Sequence, residues 1–499
     1  MNDLLIMKFG GTSVGSAERM RVAARLAAEE RRKRPVAIVV SAMSKVTDLL
    51  LDTMRQAEAG NQAAIDANVA ALRSRHEEAC RQLLPEAAQA GALERISELI
   101  ADFERIVNGM AMLNERPPRS VDEAVAVGER LAVLLLAEYL NSEGTPAAAI
   151  NAWDVVVTDA VFGNASPLME PTRGKANAVL LPLLERGSLP VITGFNGATA
   201  DGRPTTLGRG GSDFSASILA AALDASELWI WTDVDGIMSA DPRLVPDAEV
   251  LDEVTYAEAA ELAYNGAKVL HPRTLAPLAE KKIPVWSKNS FAPGKPGTRI
   301  VAAISEEAAR GARAVTSMAN VALISVEPSS PELSGVQVMA RALDAIARAN
   351  VEILVVSSSS YRQNFCFLVR GEELERSIQA MESALALELA HGYVHPIQVD
   401  RNVGLLAAVG EGMQGKPGTA GRIFSAISRV QVNIIAISQG SSELTIAVVV
   451  RRDGLEKAVR AVHAECGMGQ RPPAPVFPYE HGKAQAGVPV PLERTPAQD

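Results

Sequence analysis

Short apolar runs alternate with longer amphipathic segments over roughly the first 300 residues. The runs "LLIMKF", "VAIVV", "PAAAI", "LPVIT" and "ELWIW" have the length of buried strands. Segments with apolar positions at helical spacing separate them, and residues 48–114 read as a long helical stretch. This alternation predicts an α/β fold with a mostly parallel sheet flanked by helices. Ligands of such sheets bind at the carboxyl ends of the strands.

From about residue 312 the pattern changes and then repeats. The segment "RALDAIARANVEILVVSSSSYRQNFCFLVR" (341–370) aligns without gaps with "RIFSAISRVQVNIIAISQGSSELTIAVVVR" (422–451). Each copy predicts a helix, a strand, a turn and a strand, followed by a second helix. The repeat is either a duplicated structural module or a pair of small-ligand sensors. We expect a catalytic domain over 1–305, paired α+β units over 312–466 and a disordered tail, rich in Pro and Gly, over 467–499.

Composition narrows the functional classes. The 499 residues are 47% hydrophobic and 22% charged, which is typical of a soluble protein with two or three domains. A formal net charge of −10 and an aromatic content of 4% argue against a nucleic-acid partner. The sequence contains no apolar stretch long enough to cross a membrane, and its first strand begins too early for a signal peptide. We therefore expect no membrane contact and a cytoplasmic location.

The few cysteines and histidines indicate neither a disulfide nor a metal site. Cys80, Cys366 and Cys466 are odd in number and widely separated. His391 and His395 are four residues apart, but the helix that would align them is broken by glycine and proline.

Two glycine-rich segments are the candidate anion sites. In "MKFGGTSVGS", Lys8 precedes Gly10 and Gly11, and Thr12 and Ser13 are placed to cap a following helix. In "TLGRGGSDF", an arginine stands between glycines just before a Ser-Asp pair. Backbone N–H groups at a helix start bind anions, and an arginine fork matches a carboxylate or a phosphate. Each segment alone is also compatible with an ordinary turn.

Several better-known motifs are excluded. The dinucleotide pattern G-x-G-x-x-G fails because Asp213 occupies the position of the third glycine. The Walker P-loop pattern is absent as well, because no Gly-Lys pair is followed by Ser or Thr. Two anion cradles and several cations in one α/β domain instead fit phosphoryl transfer, which depends on positioning and charge neutralisation.

The motifs together resemble the aspartate kinase family of the amino acid kinase superfamily. "KFGGTSV", "VVSAMSKVT", "VGERL", "ITGFNG", "TLGRGGSDFSA", "WTDVDGI" and "GAKVLHPRT" follow one another as they do in that family. The resemblance extends from Met7 to about Cys466, and the repeat resembles the family's two ACT domains. It implies transfer of the γ-phosphoryl of Mg²⁺-ATP to the β-carboxylate of L-aspartate. The product, 4-phospho-L-aspartate, leads to lysine, threonine and methionine.

The resemblance also implies residue roles. Lys8 would stabilise charge on the transferred phosphoryl group, and Asp213 would orient Lys8. Arg209 would bind the α-carboxylate of aspartate and Glu129 its ammonium group. The remaining implied residues are Ser41, Thr47, Phe195 and Ser212 in the aspartate pocket, and Gly10, Gly11, Thr232, Asp233, Arg243 and Lys268 with Lys8 around ATP.

The implied regulation leaves several alternatives open. Gln439 in "IAISQGSSE" resembles the effector-binding glutamine of threonine-responsive members. At the repeat offset, Ser358 and Arg362 stand where the second copy has Gln439 and Glu443, so the two copies are not equivalent. Feedback by lysine, by threonine or by neither is open, and the resemblance implies a homo-oligomer paired through the ACT domains. The alternatives are a related kinase for glutamate, acetylglutamate, carbamate or UMP, a specialised aspartate kinase with weak feedback, as in ectoine synthesis, and a non-catalytic sensor.

Overall fold

A computed structural model describes residues 3–267, 269–305, 309–329, 334–359 and 364–469. The strands are β1 (Leu5–Phe9), β2 (Val36–Val40), β3 (Ala147–Ile150), β4 (Val157–Thr158), β5 (Leu189–Thr193), β6 (Asn196–Thr199), β7 (Pro204–Thr206), β8 (Glu227–Thr232), β9 (Glu253–Thr255), β10 (Val285–Asn289), β11 (Thr298–Val301), β12 (Ala314–Val326), β13 (Ile353–Ser358), β14 (Phe365–Arg370), β15 (Gln398–Val409), β16 (Ile434–Gln439) and β17 (Thr445–Arg451).

The helices follow the predicted amphipathic segments. They are α1 (Ala17–Arg31), α2 (Val46–Glu58), α3 (Gln62–Leu83), α4 (Glu86–Leu113), α5 (Pro118–Val125), α6 (Val127–Ser142), α7 (Met169–Glu185), α8 (Gly211–Ala222), α9 (Tyr256–Tyr264), α10 (Pro272–Lys281), α11 (Gly335–Arg348), α12 (Leu374–Ala384), α13 (Ala386–Ala390), α14 (Thr419–Arg429) and α15 (Leu455–Cys466). The stretch predicted as helical over 48–114 is α2, α3 and α4.

The first sheet has eight strands in the order β3-β5-β2-β1-β8-β10-β11-β9. Its pairs are parallel except β10 with β11, and one apolar core covers each face. Burial on both faces explains why β1 and β2 are apolar almost throughout. A smaller sheet has the strand order β4-β6-β7. The predicted α/β class is therefore confirmed.

The chain changes its direction of winding at β1. From β1 it continues to β2 on one side, and β8 pairs with β1 on the other side. Such a switch point opens a crevice outside the carboxyl ends of the two strands. The segment after β1 and the segment after β8 both leave their strands at this crevice.

The second sheet has six strands in the order β13-β14-β12-β15-β17-β16. It contains two βαββα units that share the long strands β12 and β15. Residues 321–326 of β12 belong to the first unit, with β13 and β14, whereas residues 314–318 pair with 405–409 of β15 beside β17. The second unit thus takes one strand from the chain before the first unit. The sequence repeat predicts the two units but not this exchange.

Candidate active site

Lys8 lies near the end of the central strand β1, where the two halves of the sheet meet. Its side chain is nearly buried, and Nζ lies 2.6 Å from Oδ1 of Asp213 in the first turn of α8. An ion pair that joins two elements fixes the position of the ammonium group. The sequence-predicted pair Lys8 and Asp213 is therefore brought into direct contact, with the carboxylate of Asp213 next to the helix start.

The glycines after β1 bring the backbone close to neighbouring segments. Gly10 N–H donates to Trp231 O over 3.2 Å, which ties this turn to β8. A Cβ on Gly11 would lie 2.9 Å from Ala42 O, so no side chain fits there without a shift of the backbone. A side chain on Gly10 would instead contact Lys8 Nζ at 3.4 Å. Gly10 therefore leaves the space beside the Lys8 ammonium group open, and Gly11 allows the turn to pack on the segment after β2.

The prediction that Thr12 and Ser13 cap the following helix is wrong. The N-cap of α1 is Ser16, whose Oγ accepts from Arg19 N. Residues 10–16 form turns before the helix, and the Ser13 N–H donates back to Gly10 O. The hydroxyl of Ser13 is buried and lies 2.8 Å from that of Ser290.

The second glycine segment begins α8 and packs on the loop after β5. Gly208 and Gly210 have φ of +76° and +69°, values that residues with a side chain rarely adopt. A Cβ on Gly211 would lie 2.5 Å from the ring of Phe195, and a Cβ on Gly194 would lie 2.8 Å from the Cβ of Ser212. The structure thus brings the predicted residues Phe195 and Ser212 to one place.

Phe195 itself holds a strained backbone. Its φ is +73°, and its N–H donates to the buried Oγ of Ser215 over 2.9 Å. Non-glycine residues in this region cost about 1–3 kcal/mol, and they cluster at functional sites.

Arg209 lies at the edge of this group. Its side chain is 81% exposed, and Nη2 donates over 3.1 Å to Oε1 of Glu372, in the 3₁₀ turn Gly371–Glu373 that follows β14. The predicted carboxylate-binding arginine therefore holds a carboxylate of the C-terminal sheet region.

Glu129 is a carboxylate with almost no access to water. It lies in the first turn of α6, and its Oε1 accepts from Ala42 N over 3.1 Å. Its Oε2 has no hydrogen-bond partner among the described residues. Burial raises the pKa of Glu129 to about 8, and the hydrogen bond from Ala42 offsets only part of this effect. An incoming cation would supply the missing partner.

Ser41 and Thr47 flank the segment that carries Ala42. The Ser41 N–H donates to Phe9 O over 3.1 Å, and Thr47 lies in the first turn of α2. Lys45, the N-cap of that helix, has a φ of +64°, so the turn between β2 and α2 is tight. Ser41 therefore lies next to the residue that binds Glu129.

A cavity of about 560 Å³ opens next to the carboxyl ends of β8 and β10. Asp233 and Arg243 line it, whereas Thr232 ends β8 just before it. The exposed guanidinium of Arg243 is held by the carboxylate of Asp241 over 3.0 and 3.1 Å from Nε. The cavity lining also includes residues 315–317 of β12, so the C-terminal region closes one wall. Lys268, also predicted to contact ATP, lies outside the described residues.

Two functional candidates were not predicted. Asn289 ends β10, lines the cavity and donates to Asp235 Oδ1 over 2.6 Å, and Ser290 follows it. The signal was available, since "SKNS" is a polar run directly after the apolar residues "IPVW". Its importance depends on β10 lying next to β8, which the sequence does not reveal.

A second, smaller cavity of about 320 Å³ lies at the start of α14. Gln439, the predicted effector residue, lines it together with Lys416, Thr419 and Glu443. The Glu443 carboxylate accepts from Gly415 N over 2.6 Å, which joins the two loops of the cavity. The lining offers cationic, amide and carboxylate groups, the chemistry that an amino acid requires.

The described residues contain neither a metal-binding cluster nor a membrane-spanning helix. Among them, no group of three or more His, Cys, Asp or Glu side chains is arranged to hold a metal ion. In the same part of the chain, the helices are too short or too polar to cross a membrane.

Comparison with known proteins identifies relatives over most of the chain. The amino acid kinase family matches residues 3–289, and an ACT domain matches residues 406–466. The chain is 34% identical over 466 residues to bifunctional aspartokinase/homoserine dehydrogenase 1, chloroplastic, of Arabidopsis thaliana, covering 92% of this chain and 50% of the relative. It is 30% identical over 472 residues to aspartokinase 3, chloroplastic, of the same plant, covering 92% and 81%. The chain thus spans about half the length of the bifunctional relatives.

Solved structures agree with these relatives. E. coli aspartokinase III in complex with aspartate and ADP (R-state) has a TM-score of 0.79 and 29% identity, covering 93% of this chain and 99% of that one. The same enzyme in complex with lysine and aspartate (T-state) gives a TM-score of 0.74 at the same identity and coverage. From the kinase match, the long relatives and these structures, the chain belongs to the amino acid kinase family and, within it, to the aspartokinases.

Proposed function

We propose that the protein transfers the γ-phosphoryl group of ATP to the β-carboxylate of L-aspartate, giving 4-phospho-L-aspartate. The observation that carries this proposal is the contact between Lys8 and Asp213, which places a nearly buried ammonium group between the glycine turn after β1 and the glycine-rich start of α8. Transfer between two anionic groups needs cations and amides where they meet. The aspartokinase relatives and the aspartate and ADP of the E. coli complex support the choice of substrates.

In this proposal Lys8 stabilises negative charge on the phosphoryl group during transfer, and Asp213 keeps its ammonium group aimed at the crevice. Gly10 and Gly11 let the phosphates approach the backbone. Glu129 binds the ammonium group of aspartate through the carboxylate oxygen that has no partner among the described residues. Arg209 binds the α-carboxylate, and the pocket wall consists of Ser41, Thr47, Phe195 and Ser212.

The cavity beside β8 takes the nucleotide. Thr232, Asp233, Arg243 and Lys268 contact it in this proposal. Mg²⁺ commonly binds through phosphate oxygens and waters with one or two carboxylates. Asp213, whose side chain is 22% exposed beside the first glycine cradle, is the carboxylate that could serve the ion. When bound, the ion would neutralise phosphate charge.

The test is ADP release with aspartate and Mg²⁺-ATP, together with trapping of the acyl phosphate as a hydroxamate. Turnover that depends on aspartate, and not on glutamate, acetylglutamate, carbamate or UMP, is expected. A folded protein that binds amino acids but releases no ADP would instead be the non-catalytic sensor. Lys8→Ala abolishes turnover under the kinase proposal and changes nothing under the sensor alternative.

Regulation is proposed at the second cavity. The unit with residues 406–466 matches an ACT domain, and we infer that the unit of β12 to β14 is a second one because it has the same element order. Gln439 would bind an amino-acid effector, and lysine occurs with the E. coli relative in its T-state. Ser358 ends β13 where Gln439 ends β16, so the two units differ in the residue offered. Inhibition assays with lysine, threonine and both separate feedback control from a specialised enzyme with weak feedback.

Two further expectations belong to this proposal. A homo-oligomer assembled through the ACT-type units is tested by sedimentation of the full chain. A cytoplasmic location is tested by fractionation of cells that express it.

A further inference from the structure

The turn Gly371–Glu373 of the first C-terminal unit reaches the substrate side of the kinase domain. Glu372 carries a carboxylate 52% exposed, and its Oε1 is bound by Arg209 Nη2 at 3.1 Å. The two residues are 163 positions apart in sequence. In the proposed function, Arg209 binds the α-carboxylate of aspartate. In this structure its guanidinium group instead binds the carboxylate of Glu372.

Neighbouring contacts hold this turn in place. Arg370 donates to Tyr264 O of the kinase domain and to Glu352, both over 3.3 Å. Gly371 packs so tightly on Asn320 that a Cβ would overlap the amide oxygen. Glu372 is thus presented from a packed turn, and its approach to Arg209 depends on how the C-terminal region sits on the kinase domain.

We propose that Glu372 competes with the α-carboxylate of aspartate for Arg209 and thereby sets the affinity for this substrate. The inference rests on the proposed function, in which Arg209 binds aspartate. An arginine offers two parallel N–H groups to a carboxylate, whereas Glu372 takes one of them. Aspartate can therefore displace Glu372, and the turn acts as a weak competitor rather than as a block.

The strength of the contact bounds the effect. Arg209 and Glu372 are exposed by 81% and 52%, and ion pairs of this kind are weak. Removing the competitor is expected to change the KM for aspartate by about two- to fivefold. This change in the KM for aspartate should become smaller with added salt, because salt of about 1 M screens charges beyond about 3 Å.

The experiment compares Glu372→Gln with Glu375→Gln in the full chain. Glu375 is a matched control because it lies in the same region, is 81% exposed and pairs with Arg401 instead of the kinase domain. Glu372→Gln should lower the KM for aspartate about two- to fivefold, with kcat and the KM for ATP unchanged. Glu375→Gln should leave all three constants at wild-type values.

A second pair of variants tests whether Glu372 acts through Arg209. In an Arg209→Ala background, Glu372→Gln should no longer alter the KM for aspartate. An equal KM for Glu372→Gln and Glu375→Gln, a higher KM for Glu372→Gln, or a decrease that persists without Arg209 would each overturn the inference. Failure of the proposed function is a separate result, because it shows as wild-type protein that releases no ADP with aspartate.

Discussion

Lys8 near the end of β1 and Asp213 in the first turn of α8 are joined by an ion pair of 2.6 Å, although they lie far apart in the sequence. Lys8 lies just before the glycine turn that follows β1, and Asp213 belongs to the glycine-rich start of α8. The contact therefore ties together the two segments that the proposed phosphoryl transfer requires.

Replacing Lys8 should lower kcat more than it weakens substrate binding. Lys8→Met is expected to lower kcat about 10²- to 10³-fold, because a preorganised cation is lost where charge develops. Asp213→Asn should cause a smaller loss, since the ammonium group remains but is less well oriented. Lys33→Met removes an exposed ion pair with Glu30 and is the control. Steady-state kinetics with aspartate would contradict this prediction if both Lys8→Met and Lys33→Met kept full kcat.

The pH dependence of aspartate binding should follow Glu129. Burial raises its pKa to about 8, so the free protein carries the neutral carboxyl at pH 7. Binding of the substrate's ammonium group favours the ionised form, so a proton is released and the KM for aspartate should fall as pH rises from about 6 toward 8. Calorimetry in buffers of different ionisation enthalpy measures that proton. Glu129→Gln should raise the KM about 10- to 100-fold and abolish proton release.

Acid should destabilise the helical layer through His76. The ring is completely buried in α3, its Nδ1 lies 2.8 Å from Leu72 O, and its Nε2 has no partner among the described residues. Burial lowers the pKa of His76 to about 4 from its ordinary 6.5. The unfolded chain then binds the proton more tightly, so stability present above pH 6.5 is lost progressively as pH falls toward 4.

Two variants separate this effect from general acid unfolding. His76→Leu should flatten the decrease in melting temperature between pH 6.5 and 4. His391→Leu, at an exposed histidine, should leave the wild-type slope unchanged. Equal slopes in all three proteins would refute the role of His76.

The junction between the two sheets should depend on Arg313. Its Nη1 donates over 2.8 Å to Glu258 Oε2, and these side chains are only 11% and 2% exposed. The other oxygen of Glu258 accepts from Glu411 N over 3.0 Å, so one carboxylate joins three segments. Arg313→Met should destabilise the protein by about 3–5 kcal/mol, because it leaves a buried charge without this cation. Chemical denaturation measures this loss, with the exposed pair variant Arg348→Met as the control.

The sequence is sufficient to predict features set by local chemistry. The alternation of apolar strand runs with amphipathic helical segments predicts the α/β class, which is confirmed. The resemblance to aspartokinases is confirmed as family membership, and it anticipates the contact between Lys8 and Asp213. The roles of Ser41 and Thr47 stay predictions, as do all the substrate and nucleotide contacts.

Contacts between residues far apart in the chain could not be predicted from the sequence. The partner of Arg209 is Glu372, and nothing near either residue points to the other. The role of Asn289 depends on strand order, and the Ser16 cap depends on where the turns after Gly11 end. The exchange of strands between the two C-terminal units escapes a repeat alignment because β12 serves both units.

That exchange has a consequence for the order in which the protein can be completed during synthesis. Residues 314–318 are translated well before residues 405–409, which are their partners in the sheet. The Val315 N–H also donates to Ser239 O, and Val315 lines the cavity beside β8. One wall of that cavity can therefore become final only after the ribosome has delivered the second unit, so a nascent kinase domain emerges before this wall is finished.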